Sequence, residues 1–301
     1  MTRPVKRGGV RLGAVLLAAV ALLAFAPAAL AVQTDQYDPF TACPTDNPAL
    51  NDPASETAFC VAGTGLGELT IGNRSLSLQR IGIQVAAIGL GREDPDCPQP
   101  GFCFGQVPGT TTIEDAPSVF RVGPPGNPKN NPGKGQALQV KVTLERAGDL
   151  SALTPAFLFG IPLPVFKLPT PLHVEAPWLS DDCYVGSNQS PIVLGPFVVG
   201  APASFEFKGD PNGLSVETVT FTDMPLEDGT VAVPQAQGCG HGGGSNAKAN
   251  AKVDEMLGLP SAAGLNKMVF AHANLAFAYA GFDGTAPDGG AALQAAFEAA
   301  K

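Results

Sequence analysis

From position 138 the chain alternates without a break, Leu138, Val140, Val142 and Leu144 against Gln139, Lys141, Thr143 and Glu145. A period of two with one apolar and one polar side predicts a strand in a sheet with one wet face. Between 68 and 90 the alternation slips: Leu76 and Leu78 share one phase, Ile81, Ile83 and Val85 the other, with the change at Gln79-Arg80. A one-residue slip predicts a β-bulge or a strand that changes sheets. Val269, Leu275, Phe277 and Tyr279, set against His272, Asn274, Ala276 and Ala278, predict one more strand near the C-terminus. Shorter candidates are 192–194, 204–208, 217–222 and 230–233, and the last two flank Asp228-Gly229, a hairpin signal. Helical spacing occurs twice. Val253, Met256 and Leu257 share a face behind Ser245 or Asn246 as N-cap, and Leu293 stands four before Phe297 after Asp288.

The breakers fall between these runs. Residues 32–66 are rich in Pro, Asp, Asn and Thr, so a loop-rich segment is expected there. Residues 91–106 form a Cys/Pro/Gly loop and 123–135 hold Gly123-Pro124-Pro125-Gly126-Asn127-Pro128, which no ladder accommodates, and both read as surface connections. From 155 to 177 prolines interrupt an apolar text, which excludes a long helix and leaves short edge strands. Its core, 157–166, is expected to cover the sandwich as an irregular layer; the functional alternative is an apolar lip for a ligand or partner. With no internal repeat and no long linker, 32–301 reads as a single mainly β domain. The expected architecture is an antiparallel β-sandwich or partly open barrel with one or two short C-terminal helices, stabilised by disulfides.

The N-terminus changes the compartment. Arg3, Lys6, Arg7 and Arg11 precede an apolar run over 12–25, and Ala29-Leu30-Ala31 supplies small residues at a cleavage site. That is the pattern of a signal peptide over 1–31, cut after Ala31, because the run is shorter than the ~20 residues that span a bilayer. No membrane span is expected after cleavage, and the product is read as secreted. Four of the 18 Lys and Arg and none of the 27 Asp and Glu lie before position 32, so the mature chain has 14 basic against 27 acidic residues, a net of −13. Such a surface repels phosphate backbones, which argues against nucleic acid as a partner.

Six cysteines, Cys43, Cys60, Cys97, Cys103, Cys183 and Cys239, all follow the cut. An even number in an exported chain reads as disulfides. Of the 15 possible pairings the sequential one closes local loops: Cys43 with Cys60, Cys97 with Cys103, Cys183 with Cys239. Zinc is the rival, but no C-x-x-C pair is present.

Few residues carry a recognisable chemical motif. His173, His241 and His272 are the only histidines, and His241 alone stands beside a Gly-rich turn. Ser245 to Lys248 reads S-x-x-K, without the S-D-N or K-T-G companions of penicillin-recognising enzymes. Carboxylates gather at Glu93, Asp94 and Asp96, at Asp181-Asp182, and at Glu227-Asp228, but none forms a D-x-D-x-D-G calcium loop. No catalytic residue, cofactor or metal is therefore assigned. Asn73-Arg74-Ser75 is a formal glycosylation sequon, and Asn188-Gln189-Ser190 a weaker one.

The stretch Asp181-Asp182-Cys183-Tyr184-Val185-Gly186-Ser187, the Pro191-Ile192-Val193-Leu194 that follows it, and Leu257-Gly258-Leu259-Pro260-Ser261-Ala262-Ala263-Gly264-Leu265-Asn266 after Cys239-Gly240 resemble a group of secreted actinobacterial proteins of unknown function. Ser190 stands where that group usually has Asn. The resemblance covers mainly the C-terminal half and implies export, a Cys183–Cys239 disulfide and a mostly β body; it implies no activity. The functional expectation is a non-catalytic structural or binding module of the cell envelope or extracellular space. The alternative is an extracellular hydrolase or small apolar-ligand carrier with a site built from dispersed residues.

Overall fold

The computed structural model describes residues 36–52, 57–89, 104–115, 117–122, 138–154, 163–210, 215–241, 245–281 and 288–300. The expected leader, the Cys97–Cys103 pair, the carboxylates Glu93, Asp94 and Asp96, the 123–135 connection and the Phe157 end of the 157–166 segment lie outside them. Within the described residues the fold is mainly β, with two helices and two disulfides.

Two long strands, β1 (Ala58–Ile71) and β2 (Arg74–Gly89), form a hairpin at the centre of a curled, eight-stranded antiparallel sheet. The short β3 (Phe104–Gln106) and β4 (Thr112–Asp115) pair with β2. A smaller sheet uses β5 (Ser118–Val122) and β6 (Leu138–Leu144), then β8 (Leu172–Glu175), β9 (Tyr184–Val185) and β14 (Ala236–Gln237), in the order β14-β9-β8-β6-β5. β7 (Leu168–Thr170) pairs with β10 (Ile192–Leu194). The large sheet is completed by β11 (Phe197–Val198), β12 (Ser204–Gly209), β13 (Val216–Asp228) and β15 (Lys267–Ala280). Helix α1 (Ser245–Leu257) precedes β15 and α2 (Gly289–Ala299) follows it, so only the second is C-terminal.

One core lies between the sheets. Val140, Val142 and Leu144 of β6 and Leu172 and Val174 of β8 bury their alternate positions against Leu69, Ile71, Leu76 and Leu78 of β1 and β2. Val165, Phe166 and Leu168 enter the same core, so the described end of the proline-broken segment is a cover, as its apolar text predicts. A second core lies on the other face of the large sheet, where Ala58, Cys60, Ala62, Ala276 and Ala278 lie under Leu293 and Ala296 of α2. Small alanines there let a helix approach closely. Phe297 of α2 stacks on Phe40 at 5.7 Å, and the Cys43–Cys60 disulfide ties the turns around Phe40 to β1.

The phase slip at Gln79-Arg80 is a bulge: Gly65 faces Ile81 and Gly67 faces Leu78, so one residue of β1 opposes two of β2. A second bulge sits in β15, where Leu66 faces His272 but Gly67 faces Phe270. It reverses the phase of that strand, so Met268 and Phe270 point inward and Val269, expected inside, is only half-buried. β1 itself begins at Ala58, inside the stretch expected to be loop. Its Gly63, Gly65 and Gly67 dilute the alternation, and the reason lies across the sheet: a Cβ at Gly67 would meet the Val269 carbonyl at 2.4 Å and Phe270 Cδ1 at 2.6 Å. Gly67→Ala is accordingly expected to destabilise the fold by about 2 kcal/mol, read as a lower urea midpoint at unchanged slope.

The hairpin expected at Asp228-Gly229 does not form. β13 runs through to Asp228, and residues 230–233 contribute only the bridge Val233↔Ser261. Asp228 is fully buried and its carboxylate accepts from the backbone N–H groups of Gly195 (2.6 Å) and Thr230 (2.8 Å) and from the Thr230 hydroxyl (2.7 Å). An Asx turn, rather than a two-residue hairpin, uses that acid.

Candidate functional site

The alternation that buries one side of β6 and β8 leaves the opposite side to water. Register brings the outward residues of four strands together: Arg121 opposite Gln139, Lys141 opposite Glu175, Thr143 opposite His173, and His173 opposite Tyr184. Of these, Arg121, Gln139, Lys141, His173 and Glu175 line an open groove of about 1110 Å³ with Val119, and Ala176, Pro177, Leu179, Ser180 and Asp181 complete its wall.

The polar groups are arranged as a network. Lys141 Nζ pairs with Glu175 Oε2 at 2.5 Å. His173 lies flat on Tyr184, ring centroids 4.7 Å apart, with Nδ1 3.1 Å from Glu145 Oε1 and Nε2 2.9 Å from the Asp181 carbonyl. Both ring nitrogens thus face acceptors, and the ring is held in place from two sides. Burial, then the charge of Glu145 and a hydrogen bond to it, raises the Tyr184 phenol above its ordinary value, so it stays a neutral donor. Among the described residues Arg121 makes no ion pair, and its guanidinium is the groove's uncompensated cation.

The wall of the groove is fixed by the disulfide expected from the spacing of the cysteines. Cys183 and Cys239 are joined and both fully buried. Helix α1 reinforces that corner: Asn246, Asn250 and Asp254, on one face at i, i+4 and i+8, accept from the backbone N–H groups of Gly240 (2.9 Å), Cys239 (3.0 Å) and Ala236 (2.7 Å). Asn246 is therefore a tie to the preceding loop, not the cap of its own helix. The Asp-Asp-Cys-Tyr-Val-Gly-Ser stretch thus supplies a groove carbonyl, a buried disulfide and the ring beneath His173.

The other sequence candidates stay apart from this groove. His241 is exposed beyond Cys239, and Ser245 is the first residue of α1. His272 faces Asp223 at 3.3 Å on the surface of the large sheet. Glu227 pairs with Lys267 at 2.8 Å, and Asp228 is consumed by its turn. Among the described residues no three His, Cys, Asp or Glu groups gather as metal ligands. The Asn73 amide of the formal sequon, assigned with its nitrogen toward the end of α1, donates to the carbonyls of Met256 and Leu257 (3.1 and 3.2 Å), where Arg74 Nε also donates to Met256 (3.1 Å). Two apolar cavities flank Phe166, of about 20 and about 30 Å³; a small apolar molecule such as benzene needs about 150 Å³.

Sequence reasoning found the wet face of β6 but missed Arg121, His173, Glu175 and Tyr184 as its neighbours. The only local signal was the polar phase of short strands. No family model, curated protein or solved structure matches the chain.

Proposed function

We propose that the protein is exported, loses residues 1–31 and acts in the cell envelope or outside the cell as a non-catalytic binding module, with the groove of the small sheet as its ligand site. The observation that carries this reading is the convergence of Arg121, Gln139, Lys141, His173 and Glu175 on one open polar space above a buried core. Rigid strands set the side chains, and a face of donors, acceptors and a cation, Arg121, that has no ion pair among the described residues suits an extended ligand that bears hydroxyl and carboxylate groups. Envelope glycans and peptides belong to that chemical class. Export is supported by the two disulfides, which persist in oxidising compartments. Among the described residues no helix is long and apolar enough to cross a membrane.

The test is calorimetric titration of the mature protein with soluble peptidoglycan fragments and a carboxylated polysaccharide. Arg121→Ala is expected to weaken binding about tenfold or more with the thermal midpoint unchanged, since the side chain is exposed and a charge-assisted hydrogen bond contributes roughly 1.5–3 kcal/mol. Lys141→Ala is expected to weaken it less, because Glu175 already compensates that charge. Equal affinity in wild type and Arg121→Ala, or no binding by either, sinks the reading.

A further inference from the structure

Strand β12 pairs with β13 alone, from Ser204↔Thr222 to Gly209↔Glu217, and among the described residues its second edge carries no strand. All six of its residues are exposed, including Phe205 at 57% and Phe207 at 52%. Phe205 packs on Phe221 at 5.1 Å, where the apolar face of the large sheet runs out of the core into solvent. An aromatic edge strand of this kind is a template for another strand, and chains ordinarily blunt it with charge.

Here the charges are ordered rather than merely present. Glu206 and Lys208 stand on either side of Phe207, on one face, with Lys208 Nζ 3.1 Å from Glu206 Oε2 within the strand. Antiparallel pairing of this strand with a second copy about Phe207 sets Glu206 opposite Lys208, and Lys208 opposite Glu206, while Phe207 meets Phe207 on the other face. Pairing about Glu206 instead sets that carboxylate against its own copy. Opposite charges across a strand pair stabilise it and like charges destabilise it, so the sequence order selects the first register. A two-fold contact of this type is self-complementary and closed, because each copy presents the same edge of the same strand. At the strand's end Gln36 Nε2 donates to the Gly209 carbonyl at 3.3 Å, a long bond that the incoming strand replaces.

We propose that β12 is a dimerisation edge whose occupant is β12 of a second copy of this chain, paired antiparallel about Phe207, so that two eight-stranded sheets become one. The apolar face that ends at Phe205 and Phe207 then continues across the two-fold axis.

Sedimentation equilibrium of the mature protein, from about 1 μM to about 300 μM, reads the association directly. The wild type is expected to pass from monomer to dimer in that range. Glu206→Lys and Lys208→Glu are each expected to weaken the dimer about tenfold or more, since either one turns both cross-strand pairs into like charges. An equimolar mixture of the two single variants is expected to form a heterodimer as tight as wild type, because both pairs are then opposite in sign. The double variant E206K/K208E is expected to restore the homodimer, which separates loss of pairing from loss of fold. A chain that stays monomeric throughout, a dimer indifferent to both reversals, or a mixture that fails to rescue overturns the proposal; so does a monomer whose edge instead accepts an unrelated strand.

Discussion

Asn266→Asp is expected to cost about 4 kcal/mol of unfolding free energy at neutral pH, although it changes one nitrogen to oxygen on a side chain of the same shape. Asn266 is 2% exposed. Its Oδ1 accepts from the Gly72 N–H at 2.9 Å, a bond that Asp preserves. Its Nδ2 donates to the carbonyls of Val231 (2.8 Å), Ser261 (3.2 Å) and Ala262 (3.0 Å), and an Asp oxygen there faces three acceptors. The loss has two parts: the donated bonds, at about 1 kcal/mol each, and the Val231 carbonyl, which loses its donor at about 1–3 kcal/mol if it stays dry, whereas the Ser261 and Ala262 carbonyls keep the N–H groups of Val233 (2.9 Å) and Leu265 (3.2 Å). Asn266 pins the β1–β2 turn, where Gly72 has φ +52°, to two segments that form almost no ladder of their own, so little else compensates. Urea denaturation at pH 7 is the check. The deficit is expected to shrink when acid protonates the introduced carboxyl, which regains one donor; a deficit below about 1 kcal/mol at neutral pH would show that the network is not what holds these segments.

Removing the Cys183–Cys239 disulfide with a double Ala exchange is expected to cost a similar amount. The two residues are 56 positions apart. The chain-entropy model gives about 4 kcal/mol for a loop of that length, against about 3 for the Cys43–Cys60 bridge with its separation of 17. For a domain of this size that corresponds to a fall of the thermal midpoint of the order of 10 °C. The consequence extends to the groove, because Cys183 stands between Asp181, whose carbonyl fixes His173, and Tyr184, on which His173 lies. The double variant is therefore expected to bind the polar ligand more weakly even below its unfolding transition. Differential scanning calorimetry and the same ligand titration read the two effects separately; an unchanged midpoint would mean that α1 and its Asn246, Asn250 and Asp254 ties constrain the loop without the bridge.

The elements that were legible in the sequence are those whose burial pattern is imposed by one face. β6 alternates because Val140, Val142 and Leu144 all meet one core and their neighbours meet water. The bulge at Gln79-Arg80 was legible for the same reason, since an inserted residue must invert every later side chain of the strand. β1 was not, because its inward positions opposite Phe270 and Leu275 are glycines, and a strand whose partner's side chains fill its face carries no hydrophobic signal of its own. Asp228-Gly229 misled because a turn signal is local, whereas the carboxylate is claimed by Gly195, 33 residues away. The groove was half legible: the polar phase of β6 could be read, but not that β8 and β9 would set His173, Glu175 and Tyr184 beside it.

The sequence by itself determined the mainly β class, the alternation of β6 and the bulged alternation of β2, and the apolar character of Val165 and Phe166; it only favoured the pairings Cys43–Cys60 and Cys183–Cys239 among 15, and the fold decided them. Each feature so determined follows from a property one segment carries alone: a period or a hydropathy. Tertiary structure decided which strands are neighbours, which polar faces meet, and which acids and amides are consumed in turns. Those depend on long-range pairing, where a residue's chemistry is set by what another part of the chain places opposite it, as Glu145 and Asp181 do for His173 and as Asn266 does for Gly72.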